Sequence, residues 1–200
     1  MKSMVKIFLI LAITIVCFPS LGFTTLFTAN LDGPSESPPS VSPGTGFAMV
    51  DLDTSAHTMN VQVNFSDLLG TTTAAHIHGP TASPGTGTAG VITQIPYFLS
   101  FPLGVTSGSY NQTFDTSLAA TWNPSFITAS GGTALSAEAA LESYLLSGTA
   151  YFNIHTTFAP GGEIRGFLAE PVPEPTTMLL LGTGLVGVAG AVRRKKKNQA

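Results

Sequence analysis

Positive charge is almost missing from the body of this chain. The eight basic residues are Lys2, Lys6, Arg165, Arg193, Arg194, Lys195, Lys196 and Lys197. Seven of these eight lie in the first six or the last eight residues, and Arg165 stands alone against ten acids from Asp32 to Glu170. A body with one cation cannot neutralise a phosphate backbone, so nucleic-acid binding is excluded. Cysteine is as scarce: Cys17 lies inside an N-terminal apolar run, without the small residues that precede a lipoprotein cysteine. Once that run is removed, neither a disulfide framework nor thiol catalysis is available. There is no Gly-x-Ser-x-Gly elbow, so an esterase nucleophile has no signal. Asp51 and Asp53 would be material for a glycosidase pair, but acids in β-turns usually cap backbone.

What is present begins at the two ends. Lys2 and Lys6 precede the apolar run 7–18, and Pro19 and Ser20-Leu21-Gly22 follow. A basic start, an apolar centre and a small-x-small exit read as a secretory signal peptide over residues 1–22, removed by signal peptidase. Near the C-terminus, Val172-Pro173-Glu174-Pro175 is followed by the uncharged run 176–192 and then Arg193-Arg194-Lys195-Lys196-Lys197. That run is near the lower length limit for a bilayer span. The basic cluster behind it would stay cytoplasmic, which places the body outside. Gly182-Thr183-Gly184-Leu185-Val186-Gly187 matches G-x-G-x-x-G, but no strand precedes it and no acid follows about 20 residues on. The glycines read instead as small residues of a membrane helix.

The order of Pro173-Glu174-Pro175, an apolar Gly-rich helix and a terminal basic cluster resembles the PEP-CTERM sorting signal of Gram-negative bacteria. The resemblance implies recognition and cleavage near these three residues by an exosortase. It also implies delivery to the cell surface or to an exopolysaccharide matrix.

Residues 23–171 are enough for one domain with a single core. Short apolar segments separated by Gly, Pro, Ser and Thr clusters predict an all-β sandwich or barrel. Strands are expected at 23–31, 46–52, 58–68, 72–78, 91–95, 105–114, 150–156 and 163–169. Alternation is clearest in the third, where Met59, Val61, Val63 and Phe65 share a face and Asn60, Gln62 and Asn64 take the other. The Pro-rich stretch 32–45 reads as a loop. Ser136 is expected to cap a short helix over 137–146 that Gly148 ends. Asn64-Phe65-Ser66 and Asn111-Gln112-Thr113 match a glycosylation pattern by chance.

Two segments carry the chemistry: Ala75-His76-Ile77-His78-Gly79-Pro80, and Tyr151-Phe152-Asn153-Ile154-His155-Thr156 with Gly162-Glu163-Ile164-Arg165-Gly166. Residues i and i+2 of a strand face the same way, so His76 and His78 project together. In the late hairpin Phe152 and Ile154 should face the core with Ile164 and Leu168. Asn153, His155, Glu163 and Arg165 then take the other face, and if Ile154 sits across from Ile164, Asn153 is opposite Arg165 and His155 opposite Glu163. If the two segments are neighbours in the sheet, His76, His78 and His155 line one surface. Three imidazoles suit copper or zinc. The competing reading has the histidines bonding backbone carbonyls or carboxylates, with Arg165 tied to Glu163 or Asp67. His57 falls in a turn and is expected to be exposed.

The same two segments resemble the CHRD domain, first described in chordin and widespread in bacterial exported proteins. The resemblance runs from about Leu26 to Leu168 and implies an immunoglobulin-like or barrel-like β fold; it implies no established catalytic activity. The His-x-His pair is also loosely similar to the copper strand of Cu,Zn superoxide dismutase. It departs from that family in lacking a second His/Asp cluster and a cysteine for the family disulfide. The reading is an exported, non-enzymatic binding or structural protein at the surface or in the matrix, whose partners are exopolysaccharide or other surface proteins. The alternative is a copper- or zinc-binding redox protein using His76, His78 and His155.

Overall fold

The computed structural model describes residues 24–171. The signal peptide expected at 1–22, Pro173-Glu174-Pro175 and the helix expected at 176–192 lie outside the described residues. Among those residues no helix is long and apolar enough to cross a membrane.

Seven strands form one curled antiparallel sheet. They are β1 (Thr25–Asp32), β2 (Thr45–Asp53), β3 (Thr58–Ser66), β4 (Thr72–His78), β5 (Gly108–Asp115), β6 (Tyr151–Thr156) and β7 (Ile164–Phe167), in spatial order β4-β6-β7-β1-β2-β3-β5. The expected sandwich or barrel is thereby narrowed to a single sheet. The curl brings its edges towards each other through the segment that joins them. Along the outer edge of β4, Phe98 N–H donates to Ala75 O and Gly104 N–H to Thr72 O, and the same segment then enters β5 at the far edge. Backbone groups of an edge strand that would otherwise go unpaired are satisfied there.

Alternation places the core. Met59, Val61, Val63 and Phe65 of β3 are buried on one face, with Val50 and Leu52 of β2 and Phe27 and Leu31 of β1. Ile77, Phe152, Ile154, Ile164 and Leu168 belong to the same cluster, as does Leu141 of the covering helix. Gly166 is required where β7 meets β1, because a Cβ there would run into the carbonyl oxygen of Asn30.

Two local expectations are corrected. Residues 91–95 do not form a strand: Val91 bridges His78 and Thr93 bridges Trp122, partners on two different sides. Helix α2 (Ala134–Leu146) starts before Ser136, because Thr133 is its cap. Thr133 Oγ1 accepts Ser136 N–H and Ser136 Oγ accepts Thr133 N–H, each at 3.1 Å, so the serine takes the role Glu or Gln has in a capping box. The helix ends as expected, at Gly148 with φ +66°. A shorter helix, α1 (Pro124–Ala129), precedes it, capped by Asn123.

Candidate metal centre

Strand β4 pairs with β6, and β6 with β7, although β5 and both helices intervene in sequence. Ile77 lies opposite Phe152 and Ala75 opposite Ile154, all core residues. The alternate positions therefore face away from the core in rows: His78, Tyr151 and Phe167, then His76, Asn153 and Arg165. His155 sits one row further along, opposite Ala74. This face is covered rather than bare. His76, His78, Asn153 and Arg165 are buried and His155 is half-buried.

The three imidazoles converge. One ring nitrogen from each of His76, His78 and His155 lies within 4.8 Å of the other two. Each ring also has a backbone carbonyl for its remaining nitrogen. His76 Nε2 lies 2.8 Å from Pro96 O, His78 Nδ1 3.0 Å from Ala89 O and His155 Nδ1 3.0 Å from Pro160 O. A carbonyl only accepts, so those nitrogens carry the protons and the other nitrogens present lone pairs. His78 Nε2 and His155 Nε2 face each other at 3.3 Å, and buried His76 Nδ1 has no hydrogen-bond partner.

Electrostatics keep the group neutral. Burial, then the neighbouring His155, pushes His76 down to about 4 against the opposing Pro96 bond. Burial likewise lowers His78 to about 4, with His155, His76 and Arg165 adding to it and the Ala89 bond opposing. Burial also lowers His155. Neutral imidazoles are the form that binds a metal.

Around the histidines the sequence expectations are met in part. Asn153 does face Arg165. Glu163 does not face His155: it precedes β7, and its carboxylate turns towards Ser42 Oγ, Thr156 Oγ1 and the amides of Leu69 and Gly70, four donors in all. Burial raises this carboxyl, but those four bonds outweigh it and hold Glu163 below its ordinary value. Arg165 is tied neither to Glu163 nor to Asp67. Its Nε lies 3.7 Å from Glu36 Oε2 and donates to Ser35 O, while its other arm donates to Gly87 O at 2.9 Å. Glu36 carries no motif and no periodicity, so nothing in the sequence marked it. Burial raises it to about 7 in spite of Arg165 and the Ser37 amide. His57 is bonded at 2.9 Å through Nδ1 to Glu138 Oε2 of α2, so it is less free than its turn suggested. Asp53 caps the amides of Ser55 and Ala56, the ordinary work of a turn acid.

Fold and site together define a mostly β domain with a covered histidine face. The family comparison is specific: residues 27–168 match the CHRD domain, and the chain belongs to that family. Residues 171–195 match the PEP-CTERM protein-sorting motif, which takes in Pro173-Glu174-Pro175. The CHRD and PEP-CTERM resemblances read from the sequence are thereby borne out. The motif implies processing by an exosortase, with export and association with the cell envelope of a Gram-negative bacterium. No curated protein and no solved structure matches the chain.

Proposed function

We propose that the domain is a surface-displayed, non-enzymatic binding domain whose ligand is one copper or zinc ion held by His76, His78 and His155. The observation that carries the reading is the pair of facing lone pairs. Both Nδ1 protons of His78 and His155 are committed to carbonyls, yet their Nε2 atoms stand 3.3 Å apart. Two acceptors at that distance repel unless a cation lies against both, and burial disfavours a proton in that role. His76 Nδ1, buried without a partner, supplies the third donor. Three nitrogens with no carboxylate or thiolate suit copper or zinc better than calcium or magnesium, which take oxygen. The carbonyls of Pro96, Ala89 and Pro160 act as the outer partners that orient metal-bound imidazoles.

The test is the metal content of the purified full-length chain, dialysed with and without copper and zinc, together with thermal melts. One ion per chain is expected, with stabilisation of about 2.7 kcal/mol at a free-metal concentration of 100 times the dissociation constant. His76→Ala, His78→Ala and His155→Ala should each remove most of that gain. A parent protein indifferent to both metals at neutral pH overturns the reading and leaves the histidines as structural ties.

A further inference from the structure

Tyr151 is a core-sized aromatic on the wrong face for the core. It lies opposite His78 in the β4–β6 ladder and opposite Phe167 in the β6–β7 ladder. Its ring stacks on the His78 imidazole, with centroids 5.0 Å apart and planes within 9°. From the strand on the other side of β6, the Arg165 guanidinium sits 4.8 Å from the same ring. Packing alone would be served by phenylalanine, and a buried hydroxyl costs free energy unless it is bonded. The Tyr151 hydroxyl is bonded to a single residue. It accepts Ala89 N–H at 3.2 Å and reaches Ala89 O at 3.4 Å.

Ala89 is also the residue whose carbonyl accepts the Nδ1 proton of His78 at 3.0 Å. Two residues earlier in the same irregular loop, Gly87 O accepts from Arg165. Ring and hydroxyl thus act on one imidazole by two routes, stacking on its face and fixing the carbonyl that sets its tautomer.

We infer that Tyr151 is a positioning residue of the metal centre, acting on His78 through Ala89 and supported by Arg165. The inference rests on the three-histidine reading. Its consequence is that His78 presents Nε2 rather than Nδ1, in one orientation, to the ion. Without the hydroxyl, the 87–89 segment loses a tether and His78 gains a second tautomer and a wider range of ring angles.

The experiment uses copper(II) as the probe on the full chain. Parent, Tyr151→Phe and the remote control Tyr144→Phe are compared by chelator competition, by electron paramagnetic resonance of the copper(II) form and by melting of the metal-free form. Loss of an outer-sphere partner of a metal-bound histidine typically weakens binding about 10–100-fold. Tyr151→Phe should fall in that range with altered copper hyperfine parameters, while Tyr144→Phe follows the parent in both. A purely structural tyrosine would lower the metal-free melting temperature and leave the spectrum alone. Arg165→Lys, which keeps the charge and loses the Gly87 bond, carries the same test where Tyr151→Phe does not accumulate folded. Parental affinity and spectrum in Tyr151→Phe overturn the inference while the three-histidine reading stands. A parent that binds no copper or zinc removes that reading, and this inference with it.

Discussion

His78 and His155 are four residues apart in the β4–β6 register, His78 opposite Tyr151 and His155 opposite Ala74, yet their Nε2 atoms lie 3.3 Å apart. Both side chains lean along the strands towards the row of His76 and Asn153 between them. Their backbone separation sets the reach of the site, and three carbonyls from three different segments set its proton positions.

The first prediction is acid sensitivity of the metal-free protein. His76 and His78 are lowered from 6.5 to about 4, and His155 is lowered too. The unfolded chain takes up these protons below pH 6.5, whereas folded His76 and His78 do so only near 4, so stability is full above 6.5 and falls between the two, with His155 adding in the same direction. Glu36, raised to about 7, works the other way, favouring the fold as pH falls from 7 towards 4.5. Three histidines outweigh one carboxyl, so the net slope is a loss. Urea midpoints at pH 7.5, 6, 5 and 4 measure it, and Glu36→Gln should steepen it. A flat profile counts against neutral buried imidazoles.

Glu163 gives a second, more acidic limb. Its lowered carboxyl contributes stability that is present above 4.5 and lost as pH falls further. Glu163→Gln turns an acceptor into a group that also donates, facing four donors, and should cost about 1–3 kcal/mol at pH 7. Chemical denaturation at pH 7 and 3.5 checks this. The difference between variant and parent should shrink at the lower pH.

Gly166→Ala tests the close approach of β7 to β1. The added methyl meets the Asn30 carbonyl, and overpacking of this kind costs about 1–3 kcal/mol. Gly161→Ala is the comparison, since nothing lies within 4 Å of its added Cβ. Equal denaturation midpoints for the two variants would contradict the contact.

His57→Ala separates structural from metal-binding histidines. Glu138 is buried and would keep Thr116 while losing its bond to His57. Leaving a buried carboxylate short of a partner costs about 1–3 kcal/mol. The melting temperature should fall, while the shift produced by copper or zinc stays at the parental size.

Much of this arrangement was legible in the sequence because a strand has period two. The inward Met59, Val61, Val63 and Phe65, the joint projection of His76 and His78, and the facing of Asn153 and Arg165 all follow from parity. What parity cannot give is which strands are neighbours. β4 pairs with β6 across 77 residues of sequence separation at the His78–His155 contact, and no local pattern encodes that choice. Glu163 escaped because Gly162, at φ +135°, resets the alternation just before it. The start of α2 escaped because Thr133 and Ser136 both look like caps, and the earlier one takes the position.

Arg165, the one cation of residues 24–171, is spent indoors. It is buried, donating to Ser35 O and Gly87 O and lying 3.7 Å from the Glu36 carboxyl. The described surface therefore offers solvent no fixed basic side chain, while Asp53, Asp67, Asp115 and Glu170 stand exposed or partly so. Such a one-signed exterior draws in small cations from a distance and turns away anionic polymers, both more strongly in dilute salt. Capture of a metal ion by this domain should accordingly slow as ionic strength rises, before any change at the histidines themselves.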